Sequence, residues 1–195
     1  MFRKTFHVSW LVVLVFTALW LILILILLRP RSPIPPDEVV WTRVVNDEYD
    51  FSVEYPSKWV AETFGENGSR GATDIKLEIY QTQFGNFRVY IFQRKSPRPY
   101  LQDVSRWGET MISEANTRLR GRGEPTYKEI NLWEDSLQGQ PILRRRYGNE
   151  RFLFEDVYIA RHSDMIIITL QSETAEFESY LDDFNRIVAS FEPVE

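Results

Sequence analysis

Residues 152–170 read FLFEDVYIARHSDMIIITL, which is two strand-like runs separated by a polar turn at residues 162–164. The second run, MIIITL from Met165 to Leu170, is apolar at consecutive positions, whereas a strand with one wet face alternates between apolar and polar residues. A strand of this kind is covered on both faces and lies in the middle of a sheet. We therefore predict a layered domain with this strand at its centre.

Outward from this hairpin, period-two alternation predicts further strands over residues 39–45, 51–55, 59–64, 75–79, 87–91, 127–133 and 142–147. Apolar residues at i, i+3 and i+4 predict two helices, over residues 101–119 and 177–191, with Thr174 as the N-cap of the second. Short turns around residues 139 and 148–149 favour consecutive hairpins. The predicted fold class is α+β, a mainly antiparallel sheet of about six to eight strands with helices packed on it.

An uncharged apolar run precedes the domain. The stretch VSWLVVLVFTALWLILILILL, from Val8 to Leu28, corresponds to about 31 Å of helix, which matches a hydrocarbon core of about 30 Å. We predict an uncleaved transmembrane helix, a signal anchor that holds the protein in the lipid bilayer. The alternative is a cleaved signal peptide, but the run exceeds the usual apolar region of about 7–15 residues and no A-x-A-like site follows it.

The flanks of this run suggest a domain organisation and an orientation. Residues 1–7 form a short tail, residues 29–38 a proline-rich stalk, and residues 39–195 the folded domain. Basic residues lie on both sides of the run, so the charge bias is weak: Arg3, Lys4, Arg29 and Arg31. Because a long following domain adds little to that bias, we expect a cytoplasmic N-terminus and an extracytoplasmic domain at the cell membrane.

Composition excludes several classes of site and partner. The 195 residues include no cysteine, which excludes disulfides, thiolate metal sites, a cysteine nucleophile and a lipid-modified anchor cysteine. With two histidines in the chain, His7 and His162, a site of paired imidazoles in one subunit is also excluded. Beyond residue 36 the chain holds 19 basic and 28 acidic residues, a net charge of −9, which disfavours nucleic acid as a partner. We also expect no cofactor.

Two motifs at the ends of the domain carry a resemblance to a known family. YDFSVEYPSKW, from Tyr49 to Trp59, looks like the opening signature of PsbP-like domains, an aromatic strand followed by Tyr-Pro-x-x-Trp. IVASF, from Ile187 to Phe191, resembles the last helix of the same family, which ends in a Ser-Phe pair. The residues that form this signature are Phe51, Tyr55, Pro56, Trp59 and Phe191.

The resemblance implies an α/β/α sandwich and a non-catalytic role in binding or assembly. The family includes the extrinsic PsbP subunit of photosystem II, anchored bacterial relatives such as DcrB, and a Ran-binding nuclear relative. This chain differs from the lipid-anchored relatives because it has an apolar run in place of an anchor cysteine. On physical grounds, Pro56 is expected to end its strand and Trp59 to pack in the core.

Motifs for chemistry are weak, and no catalytic, cofactor-binding or metal-binding residue is predicted. Gly65, Gly68 and Gly71 lack the Lys-Ser/Thr that completes a phosphate loop, and His162 is interpreted as a solvated turn residue. Three acidic pairs could supply the two carboxylates of a hydrolase, although solvated charge explains them as well. They are Glu134 and Asp135, Glu155 and Asp156, and Asp182 and Asp183.

Three consecutive arginines, from Arg144 to Arg146, fall in one predicted strand. Alternation places the first and third on one face and Arg145 on the other, which suggests an edge or exposed strand with cross-strand pairs to Glu155 or Asp156. The alternative is a patch that binds an acidic partner or lipid headgroups. That patch comprises Arg144, Arg146, Arg151 and Arg161, with Arg118, Arg120 and Arg122 as an extension.

The leading hypothesis is a single-pass membrane protein with a non-enzymatic, extracytoplasmic PsbP-like domain that binds or assembles with another membrane or envelope protein. Two alternatives stay open. The first is a carboxylate-dependent hydrolase. The second is a carrier of an apolar small ligand between sheet and helix, because the domain is rich in aromatic residues that could line a pocket.

Overall fold

The computed structural model describes residues 39–65, 74–81 and 86–193. The strands are β1 (Trp41–Asn46), β2 (Phe51–Pro56), β3 (Val60–Thr63), β4 (Ile75–Tyr80), β5 (Arg88–Lys95), β6 (Lys128–Leu137), β7 (Gln140–Gly148), β8 (Phe152–Ala160), β9 (Asp164–Glu173) and β10 (Glu192–Pro193). The α-helices are α1 (Leu101–Gly121) and α2 (Leu181–Ala189), and a 3-10 helix (Phe177–Tyr180) leads into α2.

The predicted tail, transmembrane helix and stalk lie outside the described residues, as do Gly68 and Gly71 of the glycine-rich loop. Within the described ranges, no helix is both long enough and apolar enough to cross a bilayer.

Seven strands form the large sheet in the order β3-β4-β5-β9-β8-β7-β6, with every neighbouring pair antiparallel. β9 is the middle strand, and Ile166, Ile167 and Ile168, which point alternately to its two faces, are all buried. The prediction of a central strand over residues 165–170 is therefore confirmed.

A second, three-stranded sheet has the order β1-β2-β10. Periodicity does not predict it, because β10 is two residues long and pairs only with Ser52 and Phe51 of β2. The small sheet is joined to the end of α2, where the Glu54 amide donates a 2.8 Å hydrogen bond to Oγ of Ser190. The predicted single sheet is thus two sheets.

Helix α1 covers one face of the large sheet, and α2 with the small sheet covers the other. Beneath α1, Val104 and Trp107 pack against Tyr158, Met165 and Ile167. The larger core, on the opposite face, joins both sheets to α2 and includes Val53, Leu77, Ile79, Val89, Ile91, Ile166, Ile168, Phe184, Ile187 and Val188. The α+β class is confirmed, since helices pack on both faces of an antiparallel sheet.

The signature residues lie in this larger core or at its border. Phe51 is fully buried, and its ring stacks on that of Phe191 with centroids 5.8 Å apart. Trp59 is also buried, with its ring centroid 4.6 Å from that of Phe87. β2 ends at Pro56, which has no N–H to donate to a ladder. The first of these contacts joins β2 to the end of α2, and the second joins the residues that precede β3 and β5.

Two local predictions are wrong. β7, which carries the arginine triplet, is not an edge strand, because β6 lies outside it and α1 covers Arg145. Thr174 is not an N-cap, because the 3-10 helix intervenes before α2 begins at Leu181. The Thr174 hydroxyl instead donates to the carbonyl of Asn149. One apolar stripe runs through the 3-10 helix and α2, so the spacing of apolar residues does not show where the first ends and the second begins.

Candidate functional site

Two arginines of β7 share a buried carboxylate on the face covered by α2. Arg144 Nη1 lies 2.9 Å from Glu155 Oε1, and Arg146 Nη2 lies 2.8 Å from Glu155 Oε2. Each guanidinium has a second acidic partner, Asp135 of β6 for Arg144 and Glu178 of the 3-10 helix for Arg146. The predicted cross-strand pairing with Glu155 is confirmed, and the positive charge of both arginines is balanced locally.

The other two arginines of the predicted patch lie elsewhere. Arg151 precedes β8 and Arg161 follows it, so the nine-residue strand separates them by about 30 Å. The Arg151 guanidinium lies over the Phe152 ring, and Arg161 is paired with Asp164. The structure thus brings together Arg144 and Arg146 but not Arg151 and Arg161. A role of the four in partner binding stays a prediction.

The middle arginine of the triplet enters a buried network under α1. Arg145 is 2% exposed, and its guanidinium donates to the hydroxyls of Tyr158 and Ser105, both at 3.3 Å. Two carboxylates approach it from the solvent side, Glu109 of α1 at 2.8 Å and Glu129 of β6 at 3.1 Å. One guanidinium therefore ties α1 to three strands of the large sheet.

The inner end of this network is Asp156, which is almost fully buried. Its carboxylate accepts hydrogen bonds from Thr169 at 2.7 Å and from Tyr158 at 2.8 Å, with Tyr147 at 3.5 Å. Burial raises the pKa of the Asp156 carboxyl to about 6, although these hydroxyl donors and Arg145 oppose the rise. Burial also raises the pKa of the Tyr147 phenol well above its usual value. This network is closed by its own hydrogen bonds.

Two of the three acidic pairs, those on strands, are not arranged as catalytic pairs. Glu155 faces α2, whereas its neighbour Asp156 faces α1, because successive side chains of a strand point to opposite faces. The same alternation separates Glu134 from Asp135 on β6. A hydrolase needs two carboxylates on one substrate, about 5–10 Å apart. Neither of these strand pairs provides that arrangement, and no cluster of three potential metal ligands occurs in the described ranges.

A groove opens between the second half of α1 and the large sheet. The first half of the helix lies close to the sheet, because Gly108 has no side chain to collide with the ring of Tyr158. Further along, burial decreases, and a chamber of about 490 Å³ separates the helix from the aromatic side chains below it. Its lining combines apolar residues, Phe92, Met111, Ile112, Ala115, Tyr127 and Phe154, with the polar residues Asp74, Glu114, Arg118 and Gln171.

A second cavity, of about 650 Å³, lies at the opposite end of the sheet from the end of α1. Ile142, Ile159 and Phe191 form its apolar floor, and His162 and Gln140 are part of its polar rim. The prediction that His162 lies in an exposed turn is confirmed. The size and mixed lining of this cleft are typical of small-molecule sites, but its polar groups do not form a recognisable catalytic set.

Comparison with known proteins identifies the architecture. No protein-family profile and no curated protein sequence matches the chain. The chain is similar to the solution structure of cyanobacterial PsbP (CyanoP) from Synechocystis sp. PCC 6803, with a TM-score of 0.61 and 15% identity, over 85% of this chain and 98% of that one. The domain has a PsbP-like fold.

A weaker similarity is to LpqN of Mycobacterium tuberculosis, a protein involved in cell envelope biogenesis. The TM-score is 0.48 and the identity 11%, over 82% of this chain and 93% of that one. The fold implied by the two end motifs is shown by the similarity to CyanoP, and at 15% identity that similarity concerns the fold alone.

The PsbP-like domain also presents a surface that residue patterns did not single out. β6 is ten residues long and forms one edge of the large sheet, whereas the opposite edge strand, β3, has four residues. Ile130 of β6 is 59% exposed and Leu132 is 42% exposed. Both lie in a stretch predicted as a strand. Its position at the edge was not predicted, because that position depends on how all seven strands pair.

Proposed function

We propose that the protein is a single-pass membrane protein whose PsbP-like domain binds a membrane or envelope protein outside the cytoplasm and catalyses no reaction. The observation that carries this proposal is the edge strand β6. No described strand pairs with its outer side, so this edge can accept a strand from a partner, and Ile130 and Leu132 add apolar contact area. Of the β6 amides, those of Leu132 and Ser136 donate to the adjacent side chains of Asn131 and Asp135.

The membrane tether supports this role for a different reason. The apolar run from Val8 to Leu28 has the length of a bilayer span, and the stretch RPRSPIPP after it is suited to a short, stiff spacer. A domain tethered in this way meets its partner in two dimensions, so a modest strand-addition surface is sufficient for assembly. We propose a cytoplasmic N-terminus, because the charges of a long domain after the apolar run have little effect on its orientation in the membrane.

Site-specific photo-crosslinking in native membranes tests the proposal. A photoreactive amino acid at Ile130 or Leu132 is expected to capture the same neighbouring protein, and Leu132→Lys is expected to reduce capture from position 130 severalfold. Thr110, exposed on α1, is the matched control position. Equal capture from all three positions, or none from β6, would contradict the proposal. Protection of the domain from protease in intact spheroplasts would contradict the orientation.

A further inference from the structure

We propose that the cleft of about 650 Å³ binds a neutral glycan, with the sugar rings on its apolar floor and their hydroxyl groups on its polar rim. Its volume lies within the range of about 300–1,000 Å³ that is usual for small-molecule sites. Three turns meet at the rim, those that join β1 to β2, β6 to β7 and β8 to β9. The site does not depend on the outer edge of β6 or on the proposed protein-binding role.

The rim of the cleft is held in place by hydrogen bonds that cross between its segments. Arg161, which follows β8, donates from Nη1 to the backbone carbonyl of Asp50 in the turn before β2, at 3.0 Å. Gln138, in the turn after β6, donates from Nε2 to the backbone carbonyl of Phe191, at 3.2 Å. A rim that is fixed in this way loses little further freedom when a ligand binds, and this favours affinity.

The floor of the cleft is mainly aliphatic. Its aliphatic residues are Leu137, Ile142, Ile159 and Pro193. Phe191 also lines it but is 3% exposed, because its ring stacks on that of Phe51 and lies beneath the guanidinium of Arg161. A nucleobase therefore finds no open aromatic face on which to stack. A sugar ring, with C–H groups on its faces and hydroxyl groups around its edge, matches an aliphatic floor inside a polar rim.

The charges of the lining disfavour an anionic ligand. The guanidinium in this lining belongs to Arg161, and its Nε lies 2.6 Å from the buried carboxylate of Asp164. This positive charge is therefore already balanced by an internal partner. The exposed carboxylate of Asp50 adds a negative charge at the rim, which would repel a phosphate or carboxylate group of a ligand.

The remaining polar groups of the rim suit hydroxyl groups. An amide, an imidazole and a side-chain hydroxyl each donate and accept hydrogen bonds, as sugar hydroxyls do. These groups belong to Gln140, His162 and Ser163, whose side chains bond no other residue in the part of the chain that the structure describes. All three residues are exposed, so they can bond a ligand without breaking an internal contact.

The experiment uses the full chain in nanodiscs and titrations followed by saturation-transfer NMR. The probes are cellobiose, maltose and N,N′-diacetylchitobiose, each compared with its 6′-phosphate as the matched anionic form. We expect at least one neutral disaccharide to bind. We expect its phosphate to bind at least about tenfold more weakly, because the added charge would lie near the carboxylate of Asp50.

Two substitutions test the location of the site. Gln140 lies two residues before Ile142 on β7 and on the same face, so Gln140→Trp fills the cleft and is expected to weaken binding at least about tenfold. Gln102→Trp, at an exposed position on α1, is the matched control and should bind like the wild type. His162→Ala removes a rim group from an exposed turn without filling the cleft, and is expected to weaken binding about threefold to tenfold.

The possible contrary results separate the parts of the proposal. Binding of none of the neutral disaccharides would overturn the glycan as ligand. Equal binding in the two tryptophan variants, or unchanged binding in His162→Ala, would overturn the cleft as its site. Equal affinity for the neutral disaccharides and their phosphates would overturn the preference for a neutral ligand. None of these results bears on partner capture from β6, so the two proposals fail independently.

Discussion

At the scale of the residue, the most consequential side chain is the carboxyl of Asp156. It lies under α1 with three hydroxyl groups around it and Arg145 beyond Tyr158. Burial raises its pKa from 3.8 to about 6, because the charged form loses hydration that its donors only partly replace. A group of this kind makes the stability of the fold depend on pH.

The sign of that dependence follows from proton linkage. The folded state binds more protons than the unfolded state between about pH 4 and pH 6, so the free energy of unfolding falls as the pH rises through this window. The contribution of Asp156 is complete below the window and lost above it. A shift from 3.8 to about 6 corresponds to about 3 kcal/mol.

We expect Asp156→Asn to remove this contribution. The wild type should lose about 3 kcal/mol of unfolding free energy between pH 4 and pH 7 through ionisation of Asp156. The variant should not show this loss, because asparagine does not ionise. Urea unfolding of the full chain in mild detergent, followed by tryptophan fluorescence, measures this difference. Asp182→Asn, at an exposed position on α2, is the control and should follow the wild type. Parallel pH curves for wild type and Asp156→Asn would contradict the prediction.

Residue patterns predicted part of this chemistry. Alternation placed Arg144 and Arg146 on one face and anticipated their pairing with Glu155, because cross-strand neighbours follow from the order of two hairpin strands. The burial of Arg145 was not predictable in this way. It depends on α1 crossing β7, a long-range contact with no counterpart in the local sequence.

At the scale of the element, α1 depends on one glycine. Gly108 lies in the middle of the helix, where glycine costs about 1 kcal/mol relative to alanine. A Cβ at this position would overlap the ring of Tyr158, whose hydroxyl bonds both Asp156 and Arg145. The stabilisation gained from close packing of α1 on the sheet therefore exceeds the free-energy cost of a glycine inside the helix.

We expect Gly108→Ala to lower the free energy of unfolding by about 1–3 kcal/mol, the usual cost of overpacking a buried site. Gly121→Ala at the end of the same helix has no atom within 4 Å of the added Cβ and is expected to be neutral or slightly stabilising. The two variants should be compared by urea unfolding under one set of conditions. A stabilised Gly108→Ala protein would show that helix propensity prevails over packing at this site.

Elements with a strong period were predictable, and short or composite ones were not. β8, β9 and α1 appear close to their predicted bounds because each has a sustained apolar pattern. The start of α2 was misplaced, since a 3-10 turn continues the same apolar stripe. The groove under α1 was anticipated only as a space between sheet and helix, because its shape depends on Gly108 and on the packing of three aromatic rings.

At the scale of the whole molecule, the two sheets are joined by a buried set of polar groups. The Asp164 carboxylate is fully buried and accepts hydrogen bonds from Arg161 Nε and from Gln93 Nε2, both at 2.6 Å. Arg161 and Gln93 also donate to backbone carbonyls of the turn between β1 and β2, at Asp50 and Tyr49. One carboxylate therefore orients two of the donors that link the small sheet to the large one; Asn46 of β1, which donates to the carbonyl of Lys76 in β4, is another.

We expect Asp164→Ala to cost about 3–5 kcal/mol of unfolding free energy, because it leaves the largely buried guanidinium of Arg161 without its counter-ion. Hydrogen exchange should accelerate first in β1 and β2. Glu178→Ala, which removes the exposed partner of Arg146, is the matched comparison and should cost less than about 1 kcal/mol. Similar losses in both variants, or uniform acceleration of exchange, would contradict this account.

The small sheet also has a consequence for synthesis. Its central strand, β2, is synthesised early and pairs with β1 on one side. Its other neighbour, β10, follows Ser190, whose hydroxyl accepts the hydrogen bond from the Glu54 amide and which lies 136 residues after Glu54 in the chain. Chains lengthen at about 5–20 residues per second, so this strand waits for many seconds with one side open. During that interval the open side of β2 is exposed to pairing with another chain.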